Sequence, residues 1–162
     1  MKINVFSENI NENYEINERK FVNLAKNILK YYLTKIYEKS CLKDCEFKTI
    51  TFDFVYCDSK KTHEINREYR NKDYPADIIT FAIFADSEEK FIFDGDINLG
   101  EVMIALDKVE EEAEKKRTTF NFELAFLISH GIMHLLGFDH QTEEEYEFVI
   151  KMQNEALESI KL

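Results

Sequence analysis

Apolar and polar positions follow two different periods along the chain, and these periods divide it into strands and helices. Strands are predicted where apolar residues alternate or run together, over residues 1–6, 48–56, 77–84 and 98–105. Helices are predicted where apolar residues recur every three or four positions, over residues 19–38, 59–68, 106–117, 120–136 and 143–160. Ser59 is the predicted N-cap of the second helix, and Pro75 ends the region that follows it.

This order of elements predicts an α+β fold, in which a small mixed β-sheet is packed with helices. The chain shows no repeat, linker or change of composition, so residues 1–162 are predicted to form a single domain. At 162 residues the chain is long enough to bury a sizeable core. Its one Pro and four Gly disfavour sandwiches and barrels that are rich in tight turns.

Composition narrows the class of protein further. A hydrophobic fraction of 44%, with 14 Phe and 8 Tyr, excludes a disordered chain. No apolar run reaches the ~18 residues that a membrane span needs. The first 15 residues lack the apolar core of a secretory signal. We therefore expect a cytoplasmic protein with no membrane partner, in which the three cysteines are free thiols.

The net charge of −11 disfavours a polyanionic partner, because such partners bind mainly through Lys and Arg. The charge is unevenly distributed along the chain. Residues 58–74 carry five basic and four acidic side chains, a net charge of +1, whereas residues 141–162 carry two basic and six acidic side chains, a net charge of −4. A nucleic acid is therefore expected to bind only at a small basic site formed by the first of these segments.

The candidate chemistry lies in residues 130–140, HGIMHLLGFDH, which contain three of the four histidines. His130 and His134 are four positions apart on a predicted helix, so their imidazoles project from one face. Gly137 suits the position after a helix end, where the chain reverses and can return His140 to the same face. Three imidazoles with a fourth position left open are typical of catalytic zinc sites.

A structural role for the histidines and a peptidase site are the alternatives. Unpartnered imidazoles are costly to bury in so apolar a helix, which favours a metal site. The spacing of the histidines is that of metzincin peptidases, but those have Glu after the first histidine, where this chain has Gly131. Asp139 can serve as the missing base or orient a ligand. Glycine within a helix costs about 1 kcal/mol, so Gly131 indicates a close backbone approach.

Three segments resemble the signature of the YbeY family of bacterial ribosomal RNA maturation factors. Residues 130–140 resemble HGxLHLxGYDH, residues 66–81 (NREYRNKDYPADIITF) resemble NxxYRxKDxPTDVLSF, and residues 99–104 (LGEVMI) resemble LGDIVI. The segments follow one another in the family's order. The departures from the signature are Ala76, Thr80, Ala82 and Glu101. None of these departures falls on a histidine.

The resemblance implies a zinc-protease-like, zincin-related fold and a single-strand-specific endoribonuclease that acts in ribosomal RNA processing and ribosome quality control. It implies one zinc ion bound by His130, His134 and His140. It also implies a functional role for Arg70, which matches an arginine of the family signature. We therefore predict that Arg70 and His130 are catalytic and that Arg70 and Lys72 bind substrate, because both cations suit phosphate. The expected partners are ribosomal RNA, the ribosome and ribosomal proteins, without DNA.

Alternatives to this interpretation stay open at the level of sequence. Spacing alone favours a surface ion pair of Arg70 with Glu68 or Asp73. A ribosome-assembly factor that binds RNA and holds a mainly structural zinc is a second possible function, and a metallopeptidase is a third. His63 is expected on a helix surface, outside the histidine cluster, and Asp77 is expected to brace the turn at Pro75.

Overall fold

Four strands form the sheet on which the helices pack, in a computed structural model that describes residues 1–160. The strands are β1 (Lys2–Asn9), β2 (Thr49–Cys57), β3 (Ile78–Phe81) and β4 (Asp96–Ala105). They are ordered β1-β2-β4-β3 across the sheet, with β2 parallel to both β1 and β4, and with β3 antiparallel to β4. The predicted α+β class with a small mixed sheet is therefore confirmed.

Helices cover both faces of this sheet. The α-helices of residues 1–160 are α1 (Glu18–Ile36), α2 (Ser59–Tyr69), α3 (Ile83–Asp86), α4 (Leu106–Lys116), α5 (Phe120–Leu135) and α6 (Glu143–Ile160). Helices α1 and α5 pack on one face, and α6 packs against both of them. Helix α2 covers part of the other face, where its Ile65 joins Cys57 and Met103 in a separate apolar cluster.

The main core lies between the sheet and the helices α1 and α5. Alternation along β2 directs Ile50, Phe52 and Phe54 into this core, where they meet Ile28 of α1 and Ile132 of α5. None of these five side chains is more than 2% exposed. Burial of each side chain contributes about 1.5–3 kcal/mol to stability. The apolar residues that recur along the sequence are therefore the ones that hold α5 against the sheet.

Helix α5 has well-defined ends, which matter because the candidate site lies at its C-terminus. It begins after Thr119, whose hydroxyl accepts the N–H of Phe122 at 3.1 Å. It stops before Gly137, whose φ of +94° lets the chain reverse. The N–H of Cys41 donates to the carbonyl of Leu136 at 2.8 Å, so the loop after α1 also secures this end of the helix.

Gly131 lies where α5 passes closest to the sheet. A Cβ atom at this position would lie 2.9 Å from Cγ1 of Val102 and 3.3 Å from Cδ1 of Ile78. The expected close approach of the backbone is therefore confirmed. Glycine disfavours helix formation, but only a residue without a side chain lets α5 come this near to β3 and β4.

The predicted strand over residues 77–84 is wrong in its second half. β3 ends at Phe81, which pairs with Glu101, and the short helix α3 begins at Ile83. On β4, the neighbouring residue Gly100 has a φ of +131°, and a Cβ there would lie 1.9 Å from the carbonyl oxygen of Phe81. The pairing stops where the two backbones crowd together, a feature that the apolar run itself does not show.

The predicted N-cap of α2 is wrong by one residue. Asp58, with an extended backbone, accepts the N–H of Lys61 at 2.8 Å and is the N-cap. Ser59 is the first helical residue, and its N–H donates to Asp107 at 2.8 Å. The carboxylate that satisfies Ser59 lies at the start of α4, so it could not be located from the local sequence.

The cysteines take no part in a metal cluster among the residues that the structure describes. Cys41, Cys45 and Cys57 are free thiols. Burial raises the pKa of Cys41 to about 11 and that of Cys57 to about 12, so both stay protonated at neutral pH and are poor ligands. Within residues 1–160, no helix is both long and apolar enough for a membrane span.

Candidate metal centre

Three histidines meet at the C-terminal end of α5. His130 and His134 project from successive turns of the helix, and the reversal at Gly137 brings His140 back beside them. One ring nitrogen from each histidine lies within 4.8 Å of those from the other two. The Nε2 atoms of His130 and His134 are 2.9 Å apart. The sequence therefore predicted which side chains come together.

The electrostatic setting keeps the two helical imidazoles neutral. Burial, followed by repulsion from His130 and His140, lowers the pKa of His134 to about 4. Burial also lowers the pKa of His130 from its usual value, although a hydrogen bond to Gln153 opposes this effect. At pH 7 both rings therefore present lone pairs, and protons do not compete with a cation for them.

The chemistry of this donor set fits a divalent transition metal. Neutral imidazoles are suitable ligands for zinc and for several neighbouring metals. Three nitrogen donors converge from two sides, His130 and His134 from the helix and His140 from the loop that follows. The carboxylate of Asp139 accepts the backbone N–H of His140 at 2.8 Å, which helps to hold this loop. This contact is to the backbone of His140 and not to its ring, so both roles considered for Asp139 stay predictions.

The cluster opens into a cavity of about 770 Å³. One wall comes from the end of α2 and the segment before β3, and it includes Arg70, Lys72 and Asp77. Asp77 lies close enough to His130 to raise its pKa electrostatically. A second wall comes from α4 and includes Lys108, which the sequence analysis did not single out. The residues predicted to bind substrate thus face the same space as the histidines.

Arg70 is not engaged by the acidic residues that spacing suggested as partners. Asp73 instead accepts hydrogen bonds from Arg67 at 3.0 Å and from His63 at 2.8 Å. Among residues 1–160, no ion pair joins Arg70 to Glu68 or Asp73. One guanidinium nitrogen of Arg70 contacts the side-chain oxygen of Asn66 at 3.5 Å, and the side chain is otherwise exposed at the cavity wall.

The cavity is less basic than the local sequence predicted. Its basic residues are Arg70, Lys72 and Lys108, and its acidic residues are Asp77, Asp86, Glu111, Glu112 and Asp139. The acidic excess arises because α3, α4 and the histidine loop complete the walls around the less acidic segment. The predicted basic site is thus limited to one wall of the cavity. A divalent cation at the histidines would offset the excess of two acidic over basic side chains in the lining.

The position after His130 leaves no room for the general base of a metzincin. A side chain at Gly131 would collide with Val102 and Ile78, since even its Cβ would lie 2.9 Å from the valine. This position also faces the sheet and not the cavity. The geometry therefore argues against the peptidase alternative.

Gln153 is a neighbour of the histidines that the sequence analysis missed. Its side-chain oxygen lies 3.4 Å from Nδ1 of His130, although the two residues are 23 positions apart. The available signal was a polar residue on the buried stripe of α6, together with Val149, Met152 and Ala156. His63 lies outside the cluster as expected, beside Asp73.

Sequence comparison relates the chain to one family over nearly its whole length. The profile of the family described as Endoribonuclease YbeY matches residues 6–161. The Endoribonuclease YbeY of Bacillus thuringiensis (strain Al Hakam) is 36% identical over 156 residues, which are 94% of each chain. That of Malacoplasma penetrans (strain HF-2) is 35% identical over 139 residues, covering 86% of this chain and 84% of the relative.

Comparison of structures gives the same architecture. The solution structure of TM1509 from Thermotoga maritima superposes with a TM-score of 0.58 and covers 98% of this chain and 91% of its own. The two sequences are 22% identical. This similarity supports the α+β fold independently of sequence.

Proposed function

Because the chain belongs to the YbeY family of endoribonucleases, we propose that it is a zinc-dependent endoribonuclease, specific for single-stranded RNA, that acts in ribosomal RNA processing and ribosome quality control. Endoribonuclease activity follows from membership of this family. The observation that carries the finer proposal is the convergence of three imidazoles in a cavity that Arg70 and Lys72 also line.

His130, His134 and His140 are the residues proposed to hold one zinc ion. When bound, such an ion supplies Lewis acidity toward a phosphoryl oxygen and acidifies a coordinated water. The protein's own contribution is to keep the imidazoles of His130 and His134 neutral and to direct the three rings from two elements, α5 and the loop after it. His130 is counted as catalytic in this sense, because it lines the cavity in which the proposed substrate would bind.

Arg70 and Lys72 are the proposed phosphate-binding residues. The guanidinium of Arg70 is permanently charged and planar, so it can hold two phosphate oxygens at once. Lys72 adds a second positive charge on the same wall. Arg70 is proposed as catalytic as well, since it can stabilise the negative charge that develops at phosphorus.

The acidic surface supports a role for protein partners in substrate binding. The net charge of −11 and the carboxylates in the cavity weaken non-specific attraction to RNA. We therefore propose that ribosomal proteins supply part of the affinity for ribosomal RNA. The same acidic excess favours one alternative, a ribosome-assembly factor whose zinc is mainly structural and whose RNA cleavage is weak.

A labelled RNA hairpin with a single-stranded loop tests the proposed substrate. The zinc-loaded protein is expected to cut the loop and to spare the stem, because a base-paired strand must first be unpaired to enter the cavity. Mapping of the product ends by gel electrophoresis gives the sites of cleavage. A DNA hairpin of the same sequence is the control and should stay intact. Equal cleavage of stem and loop would contradict single-strand specificity.

Replacing Arg70 by alanine is expected to lower kcat/KM for RNA cleavage by roughly 10- to 100-fold, the loss expected for one charged hydrogen-bonded contact worth about 1.5–3 kcal/mol. Arg70→Lys should recover only part of this loss, because an ammonium keeps the charge but lacks the planar fork. Steady-state kinetics on a fluorogenic single-stranded RNA gives both values.

Arg67→Ala is the matched control for Arg70. It removes the same charge three residues earlier, near the end of α2, from a side chain that pairs with Asp73 and does not line the cavity. It should leave kcat/KM close to that of the unchanged protein. If both variants lose activity equally, the effect is one of general charge, and the assigned role of Arg70 is wrong.

A further inference from the structure

We infer that Gln153 is a positioning residue, which holds His130 in the tautomer that presents a bare Nε2 nitrogen to the metal. The inference rests on the proposed metal site and adds α6 to the elements that build it. Gln153 is completely buried, and its side-chain oxygen faces Nδ1 of His130 at 3.4 Å. Its side-chain nitrogen faces the opposite direction.

The surroundings of Gln153 determine which way its amide points. The side-chain nitrogen lies 3.4 Å from the backbone carbonyl of Phe126 and 3.4 Å from the hydroxyl oxygen of Ser129. A carbonyl can only accept, and the Ser129 hydroxyl already donates to that same carbonyl at 2.7 Å. Both neighbours therefore require the amide nitrogen on their side, and the amide oxygen must face His130.

This orientation decides where His130 carries its proton. An amide oxygen accepts and cannot donate, so Nδ1 of His130 must be the protonated nitrogen. In a neutral ring Nε2 then has a free lone pair, and Nε2 is the atom that faces the cluster, 2.9 Å from Nε2 of His134. A second residue that orients a ligand in this way also increases its basicity toward a metal.

The 2.9 Å contact also shows what the cluster loses without Gln153. If Nδ1 of His130 lacked an acceptor, the tautomer with a proton on Nε2 would become accessible. That proton would be donated to Nε2 of His134, and neither nitrogen would then be free to bind a metal. Gln153 therefore acts by disfavouring the hydrogen bond in which His130 donates to His134, beyond its contribution to packing.

The first test needs no substitution. In metal-free protein labelled with ¹⁵N at histidine, long-range ¹H–¹⁵N correlations at pH 7 should show His130 protonated at Nδ1 and bare at Nε2. His63 is hydrogen-bonded through Nε2 to the carboxylate of Asp73, which can only accept, so its ring should carry a proton on Nε2 and provides an internal reference. A His130 ring that is protonated mainly at Nε2 would overturn the inference.

The second test compares variants by zinc affinity, measured in competition with a chromophoric chelator. Gln153→Leu removes the acceptor at similar size and is expected to weaken zinc binding by about 10- to 100-fold. Gln153→Glu keeps an oxygen acceptor toward Nδ1 but places its second oxygen against the Phe126 carbonyl, so it should lose less affinity than Gln153→Leu. Val149→Ala, one turn earlier on the same buried stripe, controls for lost packing and should bind zinc as the unchanged protein does.

The outcomes separate this inference from the proposed function. If the unchanged protein binds no zinc, the proposed metal site is wrong. If it binds zinc, and Gln153→Leu binds as tightly as Val149→Ala, only the role of Gln153 is wrong. If Gln153→Leu does not fold, the tautomer of His130 in the unchanged protein decides, and a ring protonated mainly at Nε2 overturns the inference.

Discussion

His134→Ala is expected to abolish stoichiometric zinc binding and to lower RNA cleavage by at least about 100-fold. Substitution of a residue that only hydrogen-bonds to a metal ligand can already cause a loss of about this size. The imidazole of His134 supplies one of three converging nitrogens, and an alanine leaves only two. Removal of zinc from the unchanged protein by a chelator should cause the same loss, and added zinc should reverse it only in the unchanged protein. Metal analysis and initial rates of RNA cleavage measure the two effects.

His63→Ala is the control for this substitution. It removes the remaining histidine, which is hydrogen-bonded to Asp73 and lies outside the cluster. Zinc content and cleavage rate should both be preserved in this variant. If His134→Ala folds and loses its zinc but still cleaves RNA at the normal rate, catalysis by zinc is excluded, and the alternative of a structural ion is favoured.

Gly100→Ala is expected to lower the free energy of unfolding by about 4 kcal/mol, a large part of the roughly 5–15 kcal/mol that is typical of domains. A non-glycine residue held at unfavourable backbone angles costs roughly 1–3 kcal/mol, and forced overpacking adds a similar amount. Both apply here, because Gly100 has a φ of +131° and a new Cβ would lie 1.9 Å from the carbonyl oxygen of Phe81. Urea unfolding followed by circular dichroism measures the loss.

Gly95→Ala is the matched control, since it makes the same chemical change at another glycine of positive φ. Gly95 has a φ of +79°, and a Cβ there would meet only the flexible side chain of Lys48, at 3.3 Å. Its cost should be roughly 1–2 kcal/mol, that of the left-handed backbone alone. Equal losses in the two variants would mean that the crowding between β4 and Phe81 contributes nothing to stability.

Features with a strong local period were predictable from sequence. The helical spacing of apolar residues gave α1 and α5 within a few residues of their ends, and alternation gave β2. The histidine cluster was predictable for a related reason, because helical spacing and a capping glycine together determine which side chains share a face. Gly131 was informative as well, since a residue that disfavours helix within a long helix indicated a close contact.

Features that depend on a distant partner were not predictable. β3 stops where β4 crowds it at Gly100, which lies 19 positions further along the chain than Phe81. Lys108 reaches the cavity from α4, whose sequence is typical of a charged, solvent-exposed helix. Gln153 contacts His130 only because α6 packs on α5. In each case the period of the local segment is correct, but the neighbour that gives the residue its role comes from another element.

The order of these parts along the chain has a consequence for synthesis. All four strands lie before residue 106, whereas the three histidines lie at 130–140 and Gln153 follows them. Since translation proceeds from the N-terminus, the whole sheet leaves the ribosome before any proposed ligand does. A chain that is interrupted before His130 therefore carries most of the scaffold and none of the ligands. Under the proposed assignment, incomplete translation products lack the metal ligands and so cannot cleave the RNA of the ribosome that synthesised them.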